Sequence, residues 1–235
     1  MISAKLILYV SIGTIAMFIP IIIESIWYKY KLWKSLVVGL LIAISGVIGT
    51  YVMFFIENQR WGGTSFYGGV FLVPPAFIGF AYLLKTPHRA LMDMCAPAGC
   101  MMLVVMKVQC LLSNCCKGIV LWTDASGEAV RFPSQIAELA NGLILCVVLM
   151  FIVYRAKNKG EIYPIFLILY GISRFILNFF REEFLTTEMF VPYGTIWSVV
   201  AVAAGFVWLV LLRKQKDTEN KITEEIKEEF VEEKN

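Results

Sequence analysis

Residues 35–56, SLVVGLLIAISGVIGTYVMFFI, run for twenty-two positions without one charged side chain. A helix rises about 1.5 Å per residue, so a segment of this length crosses the ~30 Å hydrocarbon core of a bilayer. Similar apolar segments recur at 6–27, 69–84, 94–112, 136–154, 161–180 and 192–212. The pattern predicts an all-α fold: a polytopic membrane helix bundle with about seven transmembrane helices. Composition agrees, since 59% of the 235 residues are hydrophobic and only 17% are charged, too few to cover a soluble domain of this size. The third segment is short and carries Pro74 and Pro75, which predicts a kinked or partly crossing helix.

Loop charges orient the chain. Lys29, Lys31, Lys34, Lys85, Arg89, Arg155, Lys157, Lys159, Arg213, Lys214 and Lys216 lie on one set of connections, against Arg60, Lys117, Arg131 and Arg181 on the other. Basic loops stay cytoplasmic, so the N-terminus is expected outside and the C-terminus inside. Lys5 and its apolar run have no small-x-small cleavage pattern before Glu24, so the first segment reads as a retained span. A membrane-embedded domain is expected over 1–213 and a charged cytoplasmic tail over 214–235. The tail is rich in Glu, with Ile222, Ile226 and Phe230 at helical spacing; a solvated, partly disordered segment is expected, with an amphipathic helix that docks a partner as the alternative. The net charge of +3 averages basic loops with this acidic tail, and the expected partner is the membrane, with no nucleic acid.

Polar residues gather at one depth. At about 100° per residue, Tyr170, Arg174, Asn178 and Arg181 fall within about 80° of arc on the sixth segment. Lys107, Gln109 and Cys110 lie in the outer half of the fourth, and Gln135, Glu138 and Asn141 in that of the fifth. The stretch from Trp61 to Gly69 precedes the third, and glycines there permit tight turns and close approach to a ligand. Ionisable groups in a span are costly and mark function. These groups either pair among themselves to hold the bundle or leave positive charge for an anion. Lys107, Arg174 and Arg181 against Glu138 favour the anion, and a phospholipid headgroup lies at that depth. A transport path would place polar groups at the midplane and on both sides, and the inner halves are nearly bare.

The six cysteines include no two Cys-x-x-Cys pairs, and His88 is the single histidine, so the spacing predicts no metal site. Adjacent Cys115 and Cys116 are read as thiols at a helix end, with redox activity as the alternative.

Gly62-Gly63-Thr64-Ser65-Phe66-Tyr67-Gly68-Gly69 resembles the Gly-Gly-x-Ser-Phe-His-Gly-Gly signature of the bacterial prolipoprotein diacylglyceryl transferase family. Phe132-Pro133-Ser134-Gln135 with Glu138 is similar to its Tyr/His-Pro-Ser/Thr-Gln-x-x-Glu motif. Tyr170-Gly171-Ile172-Ser173-Arg174, continuing to Phe179-Phe180-Arg181, is similar to its Tyr-Gly-x-x-Arg and Phe-Phe-Arg. Lys107 to Cys110, then Cys115 to Gly118, fall where the family has Arg-Ile-Gly-Asn/Cys and a loop ending in Gly. The resemblance implies a cofactor-free enzyme of the bacterial cytoplasmic (inner) membrane. It would move diacylglyceryl from phosphatidylglycerol, or a similar anionic phospholipid, to the cysteine thiol of a lipoprotein precursor peptide. Tyr67, Arg174 and Lys107 are implied as catalytic residues. Gly68, Gly69, Cys110, Gly118, Gln135, Glu138, Tyr170, Asn178 and Arg181 are implied as substrate-binding. The motifs depart from the family at Tyr67 for His, Lys107 for Arg, Cys110 for Asn, Cys115 for Glu and Asn178 for Glu. An unperturbed phenol, with a pKa of ~10, is a poor base at neutral pH. The alternative reading is therefore a non-catalytic or re-purposed phospholipid- or lipoprotein-binding protein on the same scaffold.

The charge pattern makes a direct prediction. A reporter fused after Asn235 is expected in the cytoplasm, and one inserted at Asp124 outside; finding both on one side would refute the orientation.

Overall fold

The computed structural model describes the backbone of residues 4–83, 88–155, 160–182 and 192–232, and their side chains apart from 4–7, 10, 81, 88–91 and 217–232. Lys85, Lys157 and Lys159 of the charge count lie outside the described residues. Seven α-helices are described: α1 (Ala4–Trp27), α2 (Leu32–Asn58), α3 (Phe66–Leu83), α4 (His88–Leu112), α5 (Ser134–Arg155), α6 (Ile162–Asn178) and α7 (Tyr193–Glu232). A small antiparallel hairpin, β1 (Val120–Thr123) and β2 (Ala129–Arg131), joins α4 to α5. The all-α expectation omits this hairpin. Its tight end is set by Asp124, whose carboxylate accepts from the backbone N–H groups of Ser126 (2.8 Å) and Glu128 (2.9 Å), while Gly127 takes φ +84°.

By length and composition, four helices can cross a membrane: Leu32–Asn58, Met92–Leu112, Ser134–Arg155 and Tyr193–Lys216. Ser11–Trp27, Phe66–Phe80 and Ile162–Asn178 are shorter and apolar. α3 starts before the expected 69, taking in Gly68 and Gly69, and it continues through Pro74 and Pro75. α7 does not stop at 212. It runs on as helix to Glu232, as the helical alternative for the tail would have it. No Pro or Gly follows Gly205, and Asp217/Lys221 and Glu224/Lys227 have the i,i+4 and i,i+3 spacings that support helix.

The bundle is apolar outside as well as inside, as a lipid-solvated protein should be. Ile12, Ile15 and Ile19 on α1, and Val37, Leu40, Ile44 and Ile48 on α2, form exposed stripes at helical spacing. The opposite faces bury Met17 and Ile21, or Val38 and Ile42. α4 lies against α1 and α5, α2 against α3, and α6 against α7. Burying apolar surface gains little where the solvent is also apolar, so close backbone approach and interhelical hydrogen bonds do the joining. α4 presents the fully buried Ala96, Ala98 and Cys100 to its neighbours. The Asp93 carboxylate on α4 accepts from the N–H groups of Gly160 (2.6 Å) and Ile162 (2.9 Å), capping the start of α6. Tyr163 Oη donates to the Val70 carbonyl at 2.6 Å, tying α6 to α3.

At the α2–α3 crossing, a Cβ on Gly49 would stand 2.6 Å from the Gly68 carbonyl oxygen, and one on Gly68 would overlap the Gly49 carbonyl. Gly68→Ala should therefore lower stability by about 1–3 kcal/mol, by overpacking. Gly79→Ala, with nothing within 4 Å of the added carbon, should be near neutral. Thermal unfolding in detergent compares the two, and equal melting shifts would refute this account of the crossing.

Candidate active site

Four helix termini and the β-hairpin meet at one end of the bundle. There α4 ends, α5 begins, α6 ends and α7 begins. The hairpin sets the last of the polar groups. Ile119 N–H donates to the Phe180 carbonyl (3.0 Å), Glu182 N–H donates to the Lys117 carbonyl (3.1 Å), and Gly118 and Arg181 form a β-bridge. The Phe132 and Phe180 rings stack at 4.7 Å, and Arg131 pairs with Glu182 at 2.8 Å. Gly118 is needed for this docking, because a Cβ would strike the Phe132 carbonyl. The result is that Arg181, just past the end of α6, is held facing inward.

Glu138 on α5 is the centre of the site and is 3% exposed. Its Oε2 receives Lys107 Nζ from α4 at 2.5 Å and the Arg174 guanidinium from α6; its Oε1 receives Arg181 Nη1 at 3.3 Å. One carboxylate thus serves three cations, leaving this cluster two positive charges in surplus. Asn178 is also buried here, and its Nδ2 has no hydrogen-bond partner among the described residues. These groups line the polar end of a cavity of about 730 Å³. Beyond them its walls are apolar, with Met17, Ile42, Val47, Phe54, Val73, Met102 and Leu103 from α1 to α4. Glu57 also lines the cavity, where Ser65 Oγ donates to it at 2.9 Å.

Tyr67 lines the cavity but its hydroxyl is engaged. Ser198 Oγ donates to the Gly194 carbonyl at 2.6 Å, so the 2.6 Å contact between Tyr67 Oη and Ser198 Oγ has the phenol as donor. The ring packs against Phe71 and Tyr170 at centroid distances of 5.8 and 5.7 Å. Tyr67 is therefore anchored to α7 inside the bundle rather than open at its mouth.

The chain after α4 turns back sharply. Asn114 and Cys116 have φ of +50° and +56°, and Cys115 N–H returns to the Cys110 carbonyl at 3.1 Å. The start of α5 fixes this loop: Ser134 Oγ donates to the Cys116 carbonyl and Gln135 Nε2 to the Cys115 carbonyl, each at 2.6 Å. The thiols of Cys110, Cys115 and Cys116 consequently lie within 4.8 Å of one another. The neighbouring Cys110 thiol, followed by the Lys107 and Arg181 charges, holds the Cys116 thiol well below the usual thiol range.

Of the residues expected at the site, Tyr67, Gly69, Lys107, Cys110, Glu138, Tyr170, Arg174, Asn178 and Arg181 all line the cavity. Gly68, Gly118 and Gln135 do not. Gly68 serves the α2–α3 crossing, Gly118 docks the hairpin and Gln135 holds the cysteine loop. Asn141 donates to Ser173 Oγ at 3.0 Å and ties α5 to α6. The sequence reading missed Glu57, Ser198 and the meeting of three thiols. Ser198 is 131 positions from Tyr67, with no local signal to join them. The cysteine pattern was judged by spacing alone, which does not show a chain reversing on two left-handed residues.

Glu138→Gln removes the charge that pairs three buried cations. It should cost about 3 kcal/mol or more, read as lowered thermal stability in detergent, with added phosphate restoring part of the loss. Unchanged stability would show that the cations do not depend on the carboxylate.

The chain matches the family model described as prolipoprotein diacylglyceryl transferase over residues 5–211. It is 28% identical to the phosphatidylglycerol–prolipoprotein diacylglyceryl transferase of Pseudoalteromonas translucida over 214 residues, covering 82% of this chain and 80% of that protein. The protein of the same name from Aeromonas salmonicida is also 28% identical, over 82% of this chain and 78% of its own length. That of Geobacter sulfurreducens is 32% identical over a shorter stretch, 52% of this chain and 49% of the relative. With the match running from α1 through the apolar part of α7, the chain belongs to the prolipoprotein diacylglyceryl transferase family.

Proposed function

We propose that this protein transfers the diacylglyceryl group of phosphatidylglycerol to the cysteine thiol of a lipoprotein precursor. The observation that carries the proposal is the cavity: an apolar chamber ending at Lys107, Arg174 and Arg181, with only Glu138 among them. An anionic phospholipid has the matching form, with acyl chains for the apolar walls and one phosphate for the surplus charge. The family and the names of the relatives supply the reaction.

In this reaction the acceptor sulfur bonds to the terminal glyceryl carbon, the carbon–oxygen bond to phosphate breaks, and glycerol phosphate departs with one more negative charge. Cations already fixed around that phosphate stabilise the charge as it develops, without reorganising during the step. Arg174 is the central cation, Lys107 and Arg181 flank it, and the unpartnered Asn178 Nδ2 offers one further donor. Tyr67 positions α3 against α7 through Ser198 rather than accepting a proton. The proposal includes a location in the bacterial cytoplasmic membrane with seven spans, the N-terminus and the polar end outside and the C-terminus inside. The eleven-to-four division of basic residues between alternate loops supports that orientation.

The test is transfer of labelled diacylglyceryl from phosphatidylglycerol vesicles to a lipobox peptide. Arg174→Ala should lower turnover on the order of 10²–10³-fold while the protein stays folded in the membrane. Tyr67→Phe should keep turnover within about tenfold, because its hydroxyl meets Ser198 and not substrate. Complete loss in Tyr67→Phe would put that hydroxyl in the chemistry. No transfer by the wild type, nor by Tyr67→His with Lys107→Arg, would leave the phospholipid-binding alternative.

A further inference from the structure

The three thiols at the cavity's polar end have a use that the charge cluster does not explain. In a tetrahedral zinc–thiolate centre, metal–sulfur bonds of about 2.3 Å set the sulfurs about 3.8 Å apart. Cys110 and Cys116 Sγ are 4.0 Å apart, and all three sulfurs lie within 4.8 Å. No other such group of Cys, His, Asp or Glu occurs among the described residues. The arrangement is held from outside: a left-handed turn at Cys116 reverses the chain, and Ser134 and Gln135 bind the carbonyls of Cys116 and Cys115. Such support orients ligands before a metal arrives. All three cysteines line the cavity, which puts the cluster within reach of a molecule bound there.

We infer that Cys110, Cys115 and Cys116 form a zinc site whose fourth position takes the acceptor thiol. Three sulfur donors with one open position suit a thiophilic d10 ion, zinc above hard cations. Charge supports the assignment. Three thiolates on one Zn²⁺ carry a net −1, and the neighbouring Lys107, Arg174, Arg181 and Glu138 carry +2. The sum is +1 and falls to zero once the acceptor binds as thiolate, so no net negative charge builds up beside a phosphate diester. Lys107 lies one helical turn before Cys110 on the same face of α4, which places the metal beside the phosphate-binding cations.

The catalytic role of the metal rests on the transferase reading; the metal site itself does not. Tyr67 is engaged with Ser198, and zinc supplies what a base would otherwise provide. The acceptor thiol binds the metal as thiolate and releases its proton to water at the open mouth. Its sulfur then bonds to the glyceryl carbon as the carbon–oxygen bond breaks, and the electron pair leaves with glycerol phosphate. The thioether product is neutral and a poorer zinc ligand, so it departs.

The full chain, purified in detergent without chelator or added reductant, should hold about one zinc per chain by elemental analysis. Cys110→Ser and Cys116→Ser should each lower zinc occupancy at least tenfold while eluting as folded protein. Cys146→Ser, whose thiol meets the Pro97 carbonyl away from the cluster, should keep it. Cobalt(II) in place of zinc should give a sulfur-to-metal charge-transfer band that a cysteine-containing lipobox peptide shifts and a serine analogue does not. Absence of metal with three free thiols, a disulfide within the cluster, or copper in place of zinc would each overturn the site. Stoichiometric zinc and a peptide-shifted band without diacylglyceryl transfer would keep the site and refute the transferase reading. Transfer unchanged in metal-free Cys110→Ser would refute the role of zinc and leave that reading standing.

Discussion

The pairing of Glu138 with Lys107, Arg174 and Arg181 sets the terms for the rest of the molecule. The four side chains come from α4, α5, α6 and the segment just after α6. They sit in a bundle whose outer surface is apolar, where an unpaired charge is expensive. The carboxylate draws three helices to one point, but a single negative charge does not neutralise three positive ones. The same interaction therefore joins the helices and leaves the polar end with surplus positive charge. The pairing and the anion-binding readings of these residues describe two consequences of one arrangement.

Around that point the structure separates two environments. The apolar chamber is built where α1 to α4 face one another, and the polar end is built from helix termini with Cys115, Cys116 and Arg181. Contacts far from the cavity keep these pieces in register. Asp93 caps α6 at the opposite end, Tyr163 ties α6 to α3, and Gly49 and Gly68 let α2 and α3 touch through their backbones. A ligand that is half apolar and half anionic fits such a division. The charged end is also pre-assembled, which lets it stabilise charge that develops during a reaction.

Where the motifs depart from the family, the structure shows linked consequences. Tyr67 keeps the place of the family's histidine but spends its hydroxyl on Ser198. In the same cavity Cys110, Cys115 and Cys116 stand together, two of them at positions where other members have Asn or Glu. By the motif resemblance a phenol stands where the family signature has an imidazole, and three thiols lie in the same cavity. Both changes bear on how a thiol is made nucleophilic.

Much was legible in the sequence because membranes make local patterns decisive. Apolar runs must be helical in a solvent that cannot satisfy open backbone, and the phase of a helix alone puts Tyr170, Arg174 and Asn178 on one face. The cations, the carboxylate and the family motifs followed from residue type and spacing. Roles that depend on distant partners did not. Sequence does not show that α2 packs against Gly68 or that the Gln135 amide donates to the Cys115 carbonyl. Tyr67 met Ser198 across 131 positions, and three cysteines with no metal-like spacing met where the chain reverses at Asn114 and Cys116. Helical phase is written locally, so the sequence determined which helix faces are polar; Arg181, past the end of α6, is instead turned inward by its bridge to Gly118. Which of those polar groups touch each other depends on how separate helices pack, and only the tertiary structure decided that.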